Sequence, residues 1–338
     1  MNLNELWFLL LGVLLAGYAI LDGFDLGTGI LHLAARKDEH RRVLMNAIGP
    51  VWDGNEVWLL TFGGALFAAF PHAYATVFSG FYTAFMLLLL ALIVRAVAME
   101  FRSKRESPAW RRLWDTGFCV SSATATLLFG VAVGNALLGL PIGPDMEYHG
   151  RLLHLLKPYA LLTGLFTVAL FAMHGALYLG MKTEGELQQQ VRRWAWKALA
   201  AVAALYVAVT AYSVLAVPLA TRNFPRHPWL WVLVVVNVLA LLNIVRTLRA
   251  DRWGQAFLSS SLVILSLVGL FGAALFPELL HSSLNPEWSL DIYNAASSPK
   301  TLAIMAIIAA IGMPFVFAYT SVIYWVFRGK VELGKFSY

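Results

Sequence analysis

Apolar runs of helix-spanning length recur from one end of the 338-residue sequence to the other. A transmembrane helix needs about 20 mostly apolar residues. On that measure the sequence predicts nine spans, at roughly 5 to 35, 47 to 70, 74 to 100, 115 to 140, 158 to 181, 196 to 218, 229 to 247, 256 to 276 and 300 to 327. With 59% hydrophobic and 13% charged residues, the composition is far from that of a water-soluble domain. We therefore expect an all-α polytopic membrane protein in which residues 1 to 338 form a single integral membrane domain.

The basic residues alternate between successive loops. One side carries nineteen: Arg36, Lys37, Arg41, Arg42, Arg102, Lys104, Arg105, Arg111, Arg112, Lys182, Arg192, Arg193, Lys197, Arg246, Arg249, Arg252, Arg328, Lys330 and Lys335. The other side carries five: Arg151, Lys157, Arg222, Arg226 and Lys300. The positive-inside rule places the first side in the cytoplasm, with the N-terminus outside and the C-terminus inside. Because no single patch forms, the net charge of +6 gives no reason to expect a nucleic-acid partner.

Three aspartates lie well inside the predicted spans. Asp22 and Asp25 belong to the first span, and Asp53 belongs to the second. A carboxylate inside a bilayer is costly, and it usually serves proton, ion or ligand chemistry. These residues are therefore the first candidates for a functional site.

Helix rise gives each charge an approximate depth. At about 1.5 Å per residue, Asp53 lies roughly 10 Å below the cytoplasmic boundary, Arg95 roughly 9 Å and Asp25 roughly 15 Å. Asp22 is one turn deeper than Asp25 on the same helix face. Equal depths predict an ion pair between Asp53 and Arg95, and the carboxylates together predict a graded file along which a proton enters from the cytoplasm.

Other polar groups flank these carboxylates. Glu56 lies three residues after Asp53, and Asn55 between them offers an amide that can donate and accept hydrogen bonds. Trp52 directly precedes Asp53 within the span, unlike the tryptophans at predicted span ends. The structural alternative is that Arg95 and the carboxylates form an ion-pair network that only locks the first three helices together. One arginine, however, cannot neutralise three carboxylates.

Several further residues have ordinary interpretations. Small residues that let helices approach closely are expected at Gly23, Gly27, Gly29, Gly63 and Gly64. Arg102, close to the end of the third span, is expected in the headgroup region. His32 and His174 lie in spans but show no facing-helix pattern for a haem, so neither is predicted as a ligand. Cys119 is the only cysteine, and we interpret it as a packed core residue without a metal role.

The densest sequence motifs lie around the same carboxylates. They are Asp22-Gly23-Phe24-Asp25-Leu26-Gly27, Trp52-Asp53-Gly54-Asn55-Glu56-Val57-Trp58, Gly63-Gly64-Ala65-Leu66-Phe67-Ala68-Ala69-Phe70-Pro71, Phe78-Ser79-Gly80-Phe81-Tyr82 and Phe101-Arg102-Ser103-Lys104. Sparser matches follow at Asn285-Pro286, Ala295-Ala296-Ser297-Ser298 and Tyr319-Thr320. Together they resemble subunit II of the cytochrome bd quinol oxidases, over the whole chain and most specifically in its first third.

That resemblance implies a heterodimeric respiratory oxidase. Subunit I is expected to hold the quinol site and haems b558, b595 and d, while subunit II has two four-helix bundles and a peripheral helix. A proton path in this family uses subunit II carboxylates, which correspond to Asp22, Asp25 and Asp53 here. Trp52 and Asn55 are candidates for contact with the haem region. Quinol, oxygen, the lipid bilayer and a small single-helix accessory subunit complete the expected partners.

Two other functions stay open on the residues alone. A proton-coupled secondary transporter could use Asp22, Asp25 and Asp53 as its coupling site. The sequence lacks the paired helices broken by glycine or proline that are typical of such transporters. An inert assembly scaffold is the third hypothesis.

Overall fold

The structure is a computed structural model that describes residues 2–334, so the predictions on Met1 and Lys335 lie outside the described residues. It is helical almost throughout, which confirms the predicted fold class. The helices are α1 (Leu3–Leu31), α2 (Asp38–Ile48), α3 (Trp52–Ala69), α4 (Pro71–Gly80), α5 (Tyr82–Phe101), α6 (Pro108–Leu138), α7 (Pro158–Lys182), α8 (Gly185–Ala216), α9 (Pro218–Thr221), α10 (Trp231–Arg249), α11 (Trp253–Leu275) and α12 (Pro299–Val326).

Eight helices within residues 2–334 are long and apolar enough to cross a membrane: α1, α5, α6, α7, α8, α10, α11 and α12. The predicted second span corresponds to α3, which has 18 residues and is not among them. A helix of that length spans about 27 Å, and its first turns carry Asp53 and Glu56. A ninth crossing therefore stays a prediction.

The predicted second and third spans each consist of two helices. A single helix through 47 to 70 is wrong, because α2 ends at Ile48 and α3 begins at Trp52. Pro50 stands between them, and a proline cannot continue a helix in mid-course. Phe81 similarly separates α4 from α5. These breaks move the start of α3 and therefore the depth of the residues that follow it.

Helix α1 lies at the centre of the molecule and contacts α3, α6, α7 and α11. Helices α1, α3, α5 and α6 form one group, and α7, α8, α10 and α11 form a second, but α7 also packs closely against α1 and α6 of the first group. The pair of four-helix bundles stays a prediction. Helix α12 lies outside both groups and contacts α1 and α3. Its surface is mostly exposed, as a peripheral membrane helix requires.

Glycines allow the tight crossing of α1 and α7. A β-carbon on Gly27 would overlap the carbonyl oxygen of Phe171, and one on Gly175 would lie 2.5 Å from the backbone of Gly27. The prediction of close helix contact is thus correct for Gly27. A β-carbon on Gly63 or Gly64 would meet no atom of the described chain within 4 Å, so close helix contact at these two glycines stays a prediction.

The ends of the bundle opposite the basic loops are closed by an irregular segment between α11 and α12. Strand β1 (Glu278–Leu280) pairs antiparallel with β2 (Leu290–Asp291) in this segment. The backbone N–H of Ser297 donates to the carbonyl oxygen of Ala69 (2.9 Å), and the Trp7 indole donates to the carbonyl oxygen of Leu302 (3.0 Å). These bonds tie the start of α12 to α1 and to the end of α3.

Candidate functional site

Arg95 of α5 binds two carboxylates inside the bundle. Its guanidinium donates from Nη2 to Asp22 Oδ1 (2.7 Å), from Nη1 to Asp22 Oδ2 (3.2 Å) and from Nη1 to Glu56 Oε1 (2.7 Å). The side chains of Arg95 and Asp22 are completely buried, whereas 28% of the Glu56 side chain is exposed. The bidentate contact with Asp22 is the strong form of an arginine–carboxylate pair. Together with the contact to Glu56, it joins α1, α3 and α5.

The predicted pair between Arg95 and Asp53 is therefore wrong. Asp53 lies in the first turn of α3 and is exposed, because the helix begins at Trp52 and not near Asn46 as the depth estimate assumed. A carboxylate in the first turn is favoured there by the partial positive charge of the helix end. Arg95, in turn, lies nine residues before the end of the 3₁₀ turn that follows α5, so it reaches deeper, to Asp22.

Asp25 has a different environment, one turn along α1 from Asp22. It is completely buried, and its Oδ2 accepts a hydrogen bond from Nδ2 of Asn55 (2.7 Å). Nδ2 of Asn55 also lies 3.3 Å from the carbonyl oxygen of Leu21, and Oδ1 of Asn55 accepts from the Tyr324 hydroxyl (2.9 Å). The Oδ1 atom of Asp25 has no hydrogen-bond partner within the described part of the chain.

We call Asp22, Asp25, Asn55, Glu56 and Arg95 the inner cluster. It brings together five of the seven predicted site residues, whereas Asp53 and Trp52 lie at the start of α3 outside it. A buried carboxyl group without an ion-pair partner is a group that can bind and release a proton. Within the cluster that description fits Asp25, because Arg95 already neutralises Asp22 and contacts Glu56.

A second buried network surrounds Asp115 of α6. Asp115 accepts hydrogen bonds from His32 Nε2 (2.6 Å), Arg102 Nε (2.5 Å) and Arg41 Nη1 (2.9 Å). Arg102 also donates to Asp38 (2.6 Å). We call these five residues the Asp115 cluster. It joins the ends of α1 and α5 to α2 and α6 on the side of the basic loops.

Sequence reasoning missed the Asp115 cluster. Asp115 was placed at the boundary of the fourth span, but α6 begins seven residues earlier, at Pro108. Arg102, expected in the headgroup region, is 1% exposed and fully engaged. The available signal was Ser107-Pro108, because proline is favoured in the first helical turn. Starting α6 there would have placed Asp115 two turns inside the helix.

His32 and His174, the two completely buried histidines, both have protein hydrogen-bond partners. His174 uses both ring nitrogens, Nδ1 with the Ser260 hydroxyl (2.6 Å) and Nε2 with the carbonyl oxygen of Ile20 (2.9 Å). His32 is bound to Asp115 and packs edge-on against Phe118. Over the residues described, no group of three or more His, Cys, Asp or Glu side chains is placed to hold a metal ion. The Cys119 thiol lies 3.3 Å from the carbonyl oxygen of Ile30, a structural contact between α6 and α1.

The fold and the inner cluster define an integral membrane protein that holds ionisable groups inside the bilayer. The family model described as cytochrome bd terminal oxidase subunit II matches residues 3–327. The chain therefore belongs to the cytochrome bd terminal oxidase subunit II family and is a subunit of an oxidoreductase complex. This membership confirms the resemblance and sets aside the transporter hypothesis.

Individual relatives agree over nearly the full chain. Cytochrome bd-I ubiquinol oxidase subunit 2 of Escherichia coli strain K12 is 38% identical over 97% of this chain and 95% of the relative. Cytochrome bd ubiquinol oxidase subunit 2 of Bacillus subtilis strain 168 is 36% identical over 98% and 97%. A chain in the structure of bd oxidase from Geobacillus thermodenitrificans superposes with a TM-score of 0.80, covering 97% of this chain and 99% of that one. At 16% identity this last match shows the fold alone. The chain is a multi-pass protein of the bacterial cytoplasmic (inner) membrane.

Proposed function

We propose that this chain supplies cytoplasmic protons to the oxygen-reducing site of a quinol oxidase and stabilises the haem-bearing subunit I. The observation that supports this proposal most strongly is the environment of Asp25. Its side chain is completely buried and keeps one carboxylate oxygen without a partner among the described residues. Asp22, one turn away, is held by Arg95 and so provides the fixed charge of the site. The names of the relatives support ubiquinol as the class of substrate.

The chemistry explains why a proton supply is needed. Oxidation of two quinols releases four electrons and four protons, and reduction of one O₂ to two waters consumes four of each. If the protons released and consumed are on opposite membrane faces, turnover separates charge without a pump. A proton-conducting group inside the bilayer must connect the oxygen site with the cytoplasm, and buried carboxylates serve that purpose.

The proposed order of the residues along the proton path, starting from the cytoplasm, follows their decreasing solvent exposure. Asp53 is exposed at the start of α3 and would collect a proton from the cytoplasmic surface. Glu56 lies one turn further and is partly exposed, and it binds Arg95 together with Asp22. Asp25, beyond them and buried, would hold the proton for transfer toward the partner subunit. Trp52, partly exposed at the start of α3, stays a candidate for contact with the haem region, whereas Asn55 is buried between Asp25 and Tyr324 and would influence that region only through them.

We assign haems b558, b595 and d to subunit I, where they would carry the electrons. The two completely buried histidines support that assignment, because His174 has both nitrogens occupied and His32 is bound to Asp115. The proposed partners are thus subunit I, quinol, oxygen and lipid, with a small single-helix accessory subunit as a further possibility. The exposed apolar residues of α3, α5 and α12 offer surfaces for a membrane partner or lipid.

The proposed orientation has the N-terminus outside and the C-terminus in the cytoplasm. It requires α3 to cross the membrane, since an odd number of crossings separates the two termini. Helix α3 runs antiparallel to α1 along most of its length: Asn55 contacts Asp25, Trp58 packs at Gly17, and Ala69 shares a core cluster with Trp7. That path supports a full crossing despite the polar first turns.

The test is Asp25→Asn in the intact complex, with oxygen consumption measured per haem. We expect at least about a tenfold loss, since an amide keeps the shape but cannot relay a proton. Haem content from optical absorption reports assembly, and Asp145→Asn, in an exposed loop outside the spans, is the matched control. Full oxygen consumption by an assembled Asp25→Asn complex would overturn the proposal.

A further inference from the structure

The peripheral helix α12 reaches the inner cluster through one side chain. The Tyr324 hydroxyl donates to Oδ1 of Asn55 (2.9 Å), whose Nδ2 binds Asp25 (2.7 Å). The Tyr324 ring also meets the Phe24 ring edge-on, at a centroid distance of 6.4 Å. Most of α12 is otherwise exposed, including Tyr319 at 64%. The polar contact at Tyr324 is therefore a specific feature of this end of the helix.

Bonds just beyond Tyr324 fix this end of α12 in place. Lys182, at the end of α7, donates from Nζ to the carbonyl oxygen of Phe327. Lys330 donates to the carbonyl oxygen of Thr183 (2.7 Å), and the Val331 N–H donates to the carbonyl oxygen of Lys182 (3.0 Å). The chain after α12 is thus bound to the end of α7, and the Tyr324 hydroxyl is held against Asn55.

The hydrogen-bond pattern determines how the Asn55 amide is oriented. The two groups on the Asp25 side, the Asp25 carboxylate and the Leu21 carbonyl oxygen, both accept hydrogen bonds. The NH₂ group must face them, so the amide oxygen faces Tyr324, whose hydroxyl is the donor it needs. Without that donor a buried amide oxygen loses its partner, and the orientation of the amide is no longer fixed from both sides.

We infer that Tyr324 is a positioning residue for proton transfer at Asp25. By fixing Asn55, it keeps Oδ2 of Asp25 occupied and leaves Oδ1 as the one oxygen that binds and releases the proton. This inference rests on the proposed function of Asp25. It gives the peripheral helix a part in the proton site, which is completed from outside both four-helix groups.

The experiment compares Tyr324→Phe with Tyr319→Phe in the intact complex. Both remove one hydroxyl from α12 and keep the aromatic ring, but only Tyr324 contacts the inner cluster. We expect Tyr324→Phe to lower oxygen consumption per haem about three- to tenfold, the effect of one lost hydrogen bond expressed as a rate. Tyr319→Phe should leave the rate unchanged.

Infrared difference spectroscopy supplies a readout that loss of packing would not change. The carboxyl C=O band of Asp25 is identified as the band that disappears in Asp25→Asn. Tyr324→Phe should shift that band, because the hydrogen bond from Asn55 to the carboxyl group is altered, while Tyr319→Phe should leave it in place. An unshifted band together with a wild-type rate in Tyr324→Phe would overturn the inference.

Two further comparisons distinguish a failure of the proposed role of Tyr324 from a failure of the proposed role of Asp25. In an Asn55→Leu background Tyr324→Phe should cause no additional loss, since residues acting through one bond are not additive; a full additional loss contradicts the inference. If Asp25→Asn keeps full activity, the proposed function itself fails. If Asp25→Asn is inactive and Tyr324→Phe behaves like Tyr319→Phe, only the role of Tyr324 fails.

Discussion

The inner cluster and the Asp115 cluster are both buried groups of charged side chains, but their carboxylates have different numbers of cationic partners. Asp115 accepts hydrogen bonds from His32, Arg41 and Arg102, so its oxygens are fully occupied. In the inner cluster a single guanidinium serves Asp22 and Glu56, and Asp25 binds only a neutral amide. A saturated carboxylate stabilises a structure, whereas an unsaturated one can change its protonation. Burial alone therefore does not separate structural from functional carboxylates, but the number of their cationic partners does.

Arg95→Ala should produce the largest effect. It leaves Asp22 buried without its cation, which typically costs about 3 to 5 kcal/mol. We expect loss of bound haem or of the partner subunit, measured by absorption and by co-purification. The exposed Arg105→Ala is the control, since it removes a cation outside the inner cluster. Wild-type yield and activity for Arg95→Ala would contradict the ion pair with Asp22.

Asp115→Asn should have the second-largest effect, and that effect should be a loss of stability. The amide keeps the shape but removes the charge that His32, Arg41 and Arg102 share, a loss of about 2 to 3 kcal/mol. The melting temperature of the purified complex should fall, while oxygen consumption per haem stays within about twofold of wild type. The opposite pattern, a normal melting temperature with lost turnover, would place Asp115 in the proton path and erase the distinction between the clusters.

Asp53→Asn should have the smallest effect of the three. Asp53 is exposed in the first turn of α3, where water and neighbouring surface groups can deliver protons in its place. We expect a loss of at most about twofold in oxygen consumption, since exposed charges contribute little energy to their surroundings. Asp145→Asn, exposed in an external loop, is the comparison. A tenfold loss for Asp53→Asn would make it an obligatory entry residue.

Much of the fold could be predicted from the sequence because membrane helices can be recognised by their length and hydropathy. The eight candidate spans correspond to eight of the nine predicted ones, and the family followed from the motifs around Asp22, Asp25 and Asp53. The start of the second span was misplaced because the polar first turns of α3 hide its boundary. Reading Pro50 as a helix break would have placed α3 correctly.

The site could be predicted only in part. Sequence motifs pointed to Asp22, Asp25, Asn55 and Glu56, which belong to two short motifs about 30 residues apart. Partners distant in sequence were not accessible: Arg95 was assigned to the wrong carboxylate, and Tyr324 was not singled out. Depth estimates treat each residue as a point on a helix axis, whereas an arginine side chain spans more than a helical turn. Which partner it selects depends on helix rotation, which only the structure supplies.

The central claim is that protons reach the oxygen site from the cytoplasmic face through Asp25. It is tested most directly in vesicles containing oriented complex, by recording oxygen consumption and the pH of each compartment together. We expect turnover to make the compartment facing Arg36, Lys104 and Arg193 more alkaline, and Asp25→Asn to slow alkalinisation and oxygen consumption in the same proportion. If Asp25→Asn consumed oxygen at the normal rate while the membrane potential vanished, protons would be entering from the other side, and the path through Asp25 would be wrong.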